Sequence, residues 1–98
     1  MSGVRVKRLD WGRRALDAYL ATLGRIASEN PRTAYLVEER VNHAIALILA
    51  HPGLGTPSPR RNERGFAIPN TGHVIHYRVF AGSIRITIWC RARQGIRR

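Results

Sequence analysis

The residues of this 98-residue chain that could do chemistry crowd into its second half. Arg60, Arg61, Arg64, Arg78, Arg85, Arg91 and Arg93 recur there beside His73, His76, Glu63, Tyr77 and Trp89. A guanidinium stays protonated at any working pH and offers a planar fork of donors. Such a set can hold phosphate or carboxylate oxygens and stabilise a developing oxyanion, but makes a poor general base. A base would have to be His73, His76 or Glu63, and the sequence assigns none of them a partner. His73 and His76 stand three apart on an expected strand, which turns them to opposite faces and argues against a shared metal. The single cysteine, Cys90, can form no internal disulfide, and no Cys/His spacing resembles a zinc site. No cofactor and no metal is expected.

The charge is placed as unevenly as the chemistry. Lys and Arg number 17 against 6 Asp and Glu, for a net of +11. Residues 60–98 hold nine of the basic side chains and Glu63 alone among the acids. A charge this far from zero favours polyanionic partners such as a nucleic acid, a ribosome or an acidic protein. Arg-rich composition by itself accounts for the choice of arginine, since Lys7 is the one lysine, but not for the uneven placement. The start has no apolar core of signal-peptide length, and the longest apolar run, Ala44–Ala50, is too short for a bilayer, so a cytoplasmic protein without a membrane partner is expected.

The elements that must position these residues follow from periodicity. Val4, Val6 and Leu9 alternate with basic residues as a first strand. Asp10 is the expected cap of a helix starting at Trp11, whose apolar positions Ala15, Leu16, Tyr19, Leu20, Leu23, Ile26 and Ala27 keep helical steps. Asn30-Pro31 restarts the chain, because Asn caps well and Pro fits the first helical turn. Ala34, Val37, Val41, Ala44, Ile45, Ile48 and Leu49 then form a second helix, antiparallel to the first as an αα-hairpin. His51-Pro52-Gly53 ends it, and the Pro/Gly-rich segment to Arg64 reads as loop. Strands are expected over 65–68, 73–80 and 83–91, with a turn at Asn70-Thr71-Gly72 and a basic tail over 92–98.

Taking Ala81-Gly82 as a two-residue hairpin turn sets a register. Val79, Tyr77 and Ile75 then face Ile84, Ile86 and Ile88 on a core side that includes Cys90. Arg78 faces Arg85, His76 faces Thr87 and Val74 faces Trp89 on the other side, with Arg91 and Arg93 beyond. Two arginines directly across a strand pair repel unless an anion joins them. An exposed Trp89 there could stack a base or fill an interface. The bland alternatives are long side chains splayed into solvent and, for Tyr77, a core position.

The order of elements, with Asn30-Pro31 and Ala34, His51-Pro52-Gly53-Leu54-Gly55, Arg64 with Phe66 and Ile68, Ile75-His76-Tyr77-Arg78-Val79 and Ile84-Arg85-Ile86, resembles the RelE/ParE superfamily of bacterial toxins. The resemblance covers nearly the whole chain and implies a single α+β domain over residues 1–98: N-terminal strand, antiparallel αα-hairpin, then a mainly antiparallel sheet of three further strands. It also implies the toxin of a type II toxin–antitoxin module, neutralised by a cognate antitoxin and using no small-molecule substrate. ParE-like members poison DNA gyrase, whereas RelE-like members cut mRNA in the ribosome. For a ribonuclease the candidate catalytic residues are His73, His76, Arg78, Arg85 and Arg91. Arg91 stands where such toxins commonly carry His, and no Tyr follows it. For target or nucleic-acid binding the candidates are Arg60, Arg61, Arg64, Arg78, Arg85, Trp89, Arg91 and Arg93. The missing acid/base set, together with the Asn-Pro joint and the Pro-Gly-Leu-Gly exit, favours a non-catalytic, ParE-like gyrase inhibitor over the ribosome-dependent endoribonuclease. A nucleic-acid-binding protein without toxic action is the third reading.

Overall fold

A computed structural model describes residues 8–92 of the chain. Val4, Val6, Arg93 and the tail beyond it lie outside the described residues. Strand β1 (Arg8–Trp11) leads into helix α1 (Arg13–Glu29), and α2 (Pro31–Ala50) follows after one residue. Gly12, not Asp10, occupies the N-cap of α1, because Asp10 is held within β1 by pairing to the last strand. Asn30 caps α2 as its residue type demands: its side-chain oxygen accepts from the backbone N–H of Arg32 and of Thr33, at 3.0 and 3.2 Å.

The buried positions of α2, Ala34, Val37, Val41, Ala44 and Ile48, advance by alternating steps of three and four, which lays one apolar stripe along the helix. Ala15, Tyr19 and Thr22 do the same for α1. Both stripes rest on one side of a five-stranded sheet in the order β1-β5-β4-β3-β2. Here β2 is Thr56–Pro57, β3 Glu63–Ile68, β4 His73–Val79 and β5 Ser83–Arg91. β1 runs parallel to β5 and every other pairing is antiparallel. The two-residue β2 lies inside the segment expected to be loop. Tyr77, Ile75, Ile84 and Ile86 from the sheet and Val41 and Ile48 from α2 are fully buried between the layers. The expected α+β architecture is the one observed, with β2 as an added edge strand. No helix among the described residues is long and apolar enough to cross a membrane.

A 3-10 turn at Pro52–Leu54 closes the end of α2 and is tied to the sheet by Tyr77. The Tyr77 hydroxyl accepts from Gly55 N–H at 2.9 Å and donates to the Pro52 carbonyl at 2.8 Å. Residue 55 must be glycine for this approach: a Cβ there would stand 2.7 Å from the Gly65 carbonyl and 2.8 Å from the Tyr77 hydroxyl.

Candidate functional site

The face of the sheet away from the helices is built by alternation. Leu9 and Trp11 point to the core, so Arg8 and Asp10 point away, and the pairing aligns Asp10, Arg85, Arg78 and Glu63 in one row across four strands. Two arginines at the centre of the row are flanked by a carboxylate at each end. Asp10 Oδ2 lies 3.4 Å from Arg85 Nη2. The repulsion expected between Arg78 and Arg85 is therefore offset on the Arg85 side from within the fold. Arg78 is exposed and sets its guanidinium 6.0 Å from the Phe80 ring centroid. Asp10 was not legible as a member of this site, since only the parallel β1–β5 pairing brings it there.

Glu63 is the second residue that pattern alone did not place. Its side chain is 1% exposed, with Oε2 3.3 Å from His76 Nδ1 and Oε1 accepting from the Thr87 hydroxyl at 3.3 Å. The same hydroxyl lies 3.3 Å from the His76 carbonyl, so its one proton serves one acceptor at a time. The His76 ring lies over Gly65, where the missing Cβ leaves it room at 3.7 Å. A carboxylate on Nδ1 directs the proton of a neutral imidazole to that nitrogen and leaves Nε2 as the free one. His76 is thus an oriented histidine within the sheet face, where the sequence had offered it no partner. Its signal was Glu63 itself, the single acid of a strongly basic stretch.

The hairpin turn and its first pairs are as the sequence predicts: Phe80 N–H donates to Ser83 O, Val79 pairs with Ile84, Arg78 with Arg85 and Tyr77 with Ile86. Beyond them the register shifts. A β-bulge between His76 and Tyr77 leaves Thr87 unpaired, so His76 pairs with Ile88, Ile75 with Trp89, Val74 with Cys90 and His73 with Arg91. The expected faces are thereby exchanged from residue 88 onward. Trp89 is not on the basic face: it is 6% exposed in the core, donates from Nε1 to the Thr22 hydroxyl at 3.0 Å and stacks on His73 with centroids 4.7 Å apart. Cys90, expected in the core, is exposed. Arg91 shares the side of Trp89 and lies six residues along β5 from Arg85, about 20 Å away at strand rise. His73, buried with Nδ1 3.1 Å from the Thr71 carbonyl, faces the helices. Of the catalytic candidates, Arg78, Arg85 and His76 share the outer face, and His73 and Arg91 do not.

The loop arginines form a separate group at the end of the sheet where β3 begins and β4 ends. Arg64 is half-buried and clamped, its Nη1 donating to Gly55 O at 2.7 Å and Gly53 O at 3.3 Å. Arg60 and Arg61 are exposed on a turn closed by Glu63 N–H to Arg60 O at 3.2 Å. Together they border a groove of about 590 Å³.

No family model and no curated protein sequence matches the chain. Solved structures do. The chain is similar to one described as the chromosomal ParDE TA system from P. aeruginosa, at 20% identity and a TM-score of 0.75, over 90% of this chain and 98% of that one. The isolated E. coli RelE toxin matches at 14% identity and 0.67, over 91% and 87%. The E. coli RelBE toxin-antitoxin complex matches at the same identity and score, over 90% and 99%. The matches run over most of each of these chains, so this chain, with two helices on a five-stranded mixed sheet, has the fold that they share.

Proposed function

We propose that this chain is the toxin of a type II toxin–antitoxin module, acting in the cytoplasm by poisoning DNA gyrase and neutralised by a cognate antitoxin. The observation that carries the reading is the structural match to the ParDE chain, higher in both identity and TM-score than the two RelE matches. The outer sheet face is consistent with it. Arg78 and Arg85 at its centre are permanently protonated donors that bind anions without moving a proton, and the Glu63–His76 pair beside them belongs to the second reading below. Two such guanidiniums hold an anionic partner through charge-assisted hydrogen bonds. Purified protein added to gyrase and relaxed plasmid should abolish supercoiling and accumulate cleaved DNA. Normal supercoiling at excess protein rejects gyrase as the target. For the antitoxin, charge reversal at Arg78 and Arg85 should weaken the complex with the product of the neighbouring reading frame at least tenfold.

A second reading, the ribosome-dependent mRNA endoribonuclease, draws on the Glu63–His76 pair. His76 Nε2 would take the proton of a ribose 2′-hydroxyl and the resulting alkoxide would attack the adjacent phosphorus; Arg78 and Arg85 would balance the charge of the phosphorane, whose P–O5′ bond then breaks to leave a 2′,3′-cyclic phosphate and a 5′-hydroxyl protonated from water. In an in vitro translation reaction this predicts message cut at the ribosomal A site, with cutting lost in His76→Ala. Intact message while wild-type protein is present rejects it.

A further inference from the structure

The row Asp10, Arg85, Arg78 and Glu63 is symmetrical in its charges but not in what they do. Each arginine has a carboxylate on the neighbouring strand. Glu63 is withdrawn from the face, its side chain 1% exposed and engaged with His76 and Thr87, so Arg78 is left without an ion pair among the described residues. Asp10 does the opposite. Its carboxylate stays at the surface, 42% exposed, with Oδ2 3.4 Å from Nη2 of an Arg85 that is itself 54% exposed. A single contact of that length between half-exposed groups adds little to folding, because water screens it and two side chains lose freedom to keep it. Asp10 serves nowhere else. Gly12 caps α1, and among the described residues Arg85 is the one cation that Asp10 meets. The main chain of β1 is what keeps Asp10 in place: Arg8 N–H donates to Gly82 O at 3.1 Å and Gly12 N–H to Ile86 O at 2.7 Å, while Leu9 and Trp11 pack against the core on the other side. The carboxylate is thus presented to Arg85 by a paired strand and can swing away without disturbing it.

We infer that, with the outer sheet face read as the surface for an anionic partner, Asp10 is a placeholder: it fills the Arg85 half of a two-arginine receptor, and an acidic polypeptide binds there by replacing the Asp10 carboxylate with one of its own. The internal occupant shows the class of ligand. Arg85 already takes a carboxylate, through one nitrogen of its fork, and keeps its remaining donors for a better-placed one. Arg78, one strand spacing of about 4.8 Å away, takes a second carboxylate with nothing to displace. A ligand with one carboxylate therefore gains Arg78 alone and leaves Asp10 where it is, whereas a run of acidic side chains engages both arginines. Asp10 sets how much charge a partner must bring, and it loosens every complex that crosses that threshold.

The test is binding of the full chain to a fluorescent polyglutamate peptide at about 10 mM ionic strength, where surface charges are least screened. Asp10→Asn should tighten binding about two- to fivefold beyond Asp17→Asn, the range that opening an exposed ion pair spans. Asp17 pairs with Arg13 on α1 at 3.7 Å, so its variant makes the same change in net charge away from the sheet face. In an Arg85→Ala background the extra gain should vanish, which a global charge effect would not do. Asn keeps the shape of Asp at this half-exposed site, so the variant should retain the wild-type circular dichroism. The carboxyl-carbon NMR signal of Asp10 should also move towards that of free aspartate as the wild-type chain is saturated with peptide. The inference is overturned if Asp10→Asn gains no more than Asp17→Asn, if the gain survives in Arg85→Ala, if the Asp10 signal stays put at saturation, or if the gain appears with an oligonucleotide of equal charge and not with polyglutamate. Binding by Arg78→Glu/Arg85→Glu reports on the face itself, so a face that binds without the Asp10 effect overturns the placeholder alone. Supercoiling inhibition, measured on the same variants, reports separately on the gyrase reading.

Discussion

Tyr77 joins two parts of the chain that are distant in sequence. Its hydroxyl serves Gly55 N–H and the Pro52 carbonyl, and the ring is fully buried. In Tyr77→Phe both main-chain groups lose their partner in a place water reaches poorly, at a cost of about 1–3 kcal/mol for each buried group left unsatisfied. Urea unfolding should show a loss of about 2 kcal/mol with an unchanged slope, and an unmoved midpoint would mean the turn finds other partners. Tyr19 gives a pH signature. Burial first, and the nearby Glu38 carboxylate second, push its phenol from 10.0 up to about 12. Below pH 10 the phenol is protonated folded or unfolded, and its contribution to stability is complete. Between about pH 10 and pH 12 only the unfolded chain releases the proton, so stability falls as pH rises, by on the order of 2 kcal/mol. Unfolding of Tyr19→Phe across that window should lack this part of the fall. A parallel decline in both proteins would refute it. Tyr77 and Tyr19 were both legible as core residues from periodicity, whereas the bonds of the first and the neighbour of the second depend on which elements meet.

At the scale of the element, the helices were the legible part and β5 the instructive failure. Asn30-Pro31 announces the start of α2 by local chemistry, and the observed cap is the one Asn is built to make. Gly12 displaced Asp10 at α1 because a parallel strand claimed Asp10 first. In β5 strict alternation carried the correct faces only to Thr87. One extra residue, Thr87, then turns Trp89 inward to the Thr22 hydroxyl and the ring of Tyr19, whose centroid is 4.7 Å away. Burying an indole on a core face outweighs an unbroken ladder, since a large aromatic removes far more apolar area from water than one ladder bond is worth. Deleting Thr87 tests this account. The shortened strand keeps Ile86, Ile88 and Trp89 on their present faces without a bulge, so Trp89 should remain buried. Tryptophan emission should hold its wavelength while the bonds to Glu63 and His76 are lost. A red shift towards solvent-exposed emission would show that the bulge, not the core, places Trp89.

The whole molecule carries +11 on a chain whose described residues span 47 × 34 × 22 Å. At about 10 mM ionic strength the screening length is near 30 Å, so the arginines of both sheet ends repel one another. At about 150 mM it is near 8 Å and they do not. The melting temperature should therefore rise by several degrees across that interval, as about 4–8 °C per kcal/mol implies for a domain of this size. A flat or falling profile would mean that most arginines are individually neutralised in the fold. By itself the sequence determined the α+β class, the αα-hairpin and its Asn30 joint, the turn at Ala81-Gly82, the core role of Tyr77 and the weight of positive charge after residue 60. Each of these is written in local periodicity, turn chemistry or composition. Only the tertiary structure decided that Asp10 meets Arg85, that Glu63 and Thr87 hold His76, that Trp89 faces the core and Cys90 the solvent, and that the arginines divide between a sheet face and a groove. Those outcomes rest on pairings between distant strands and on a single bulge, and a period-2 pattern carries no information about where a strand breaks it.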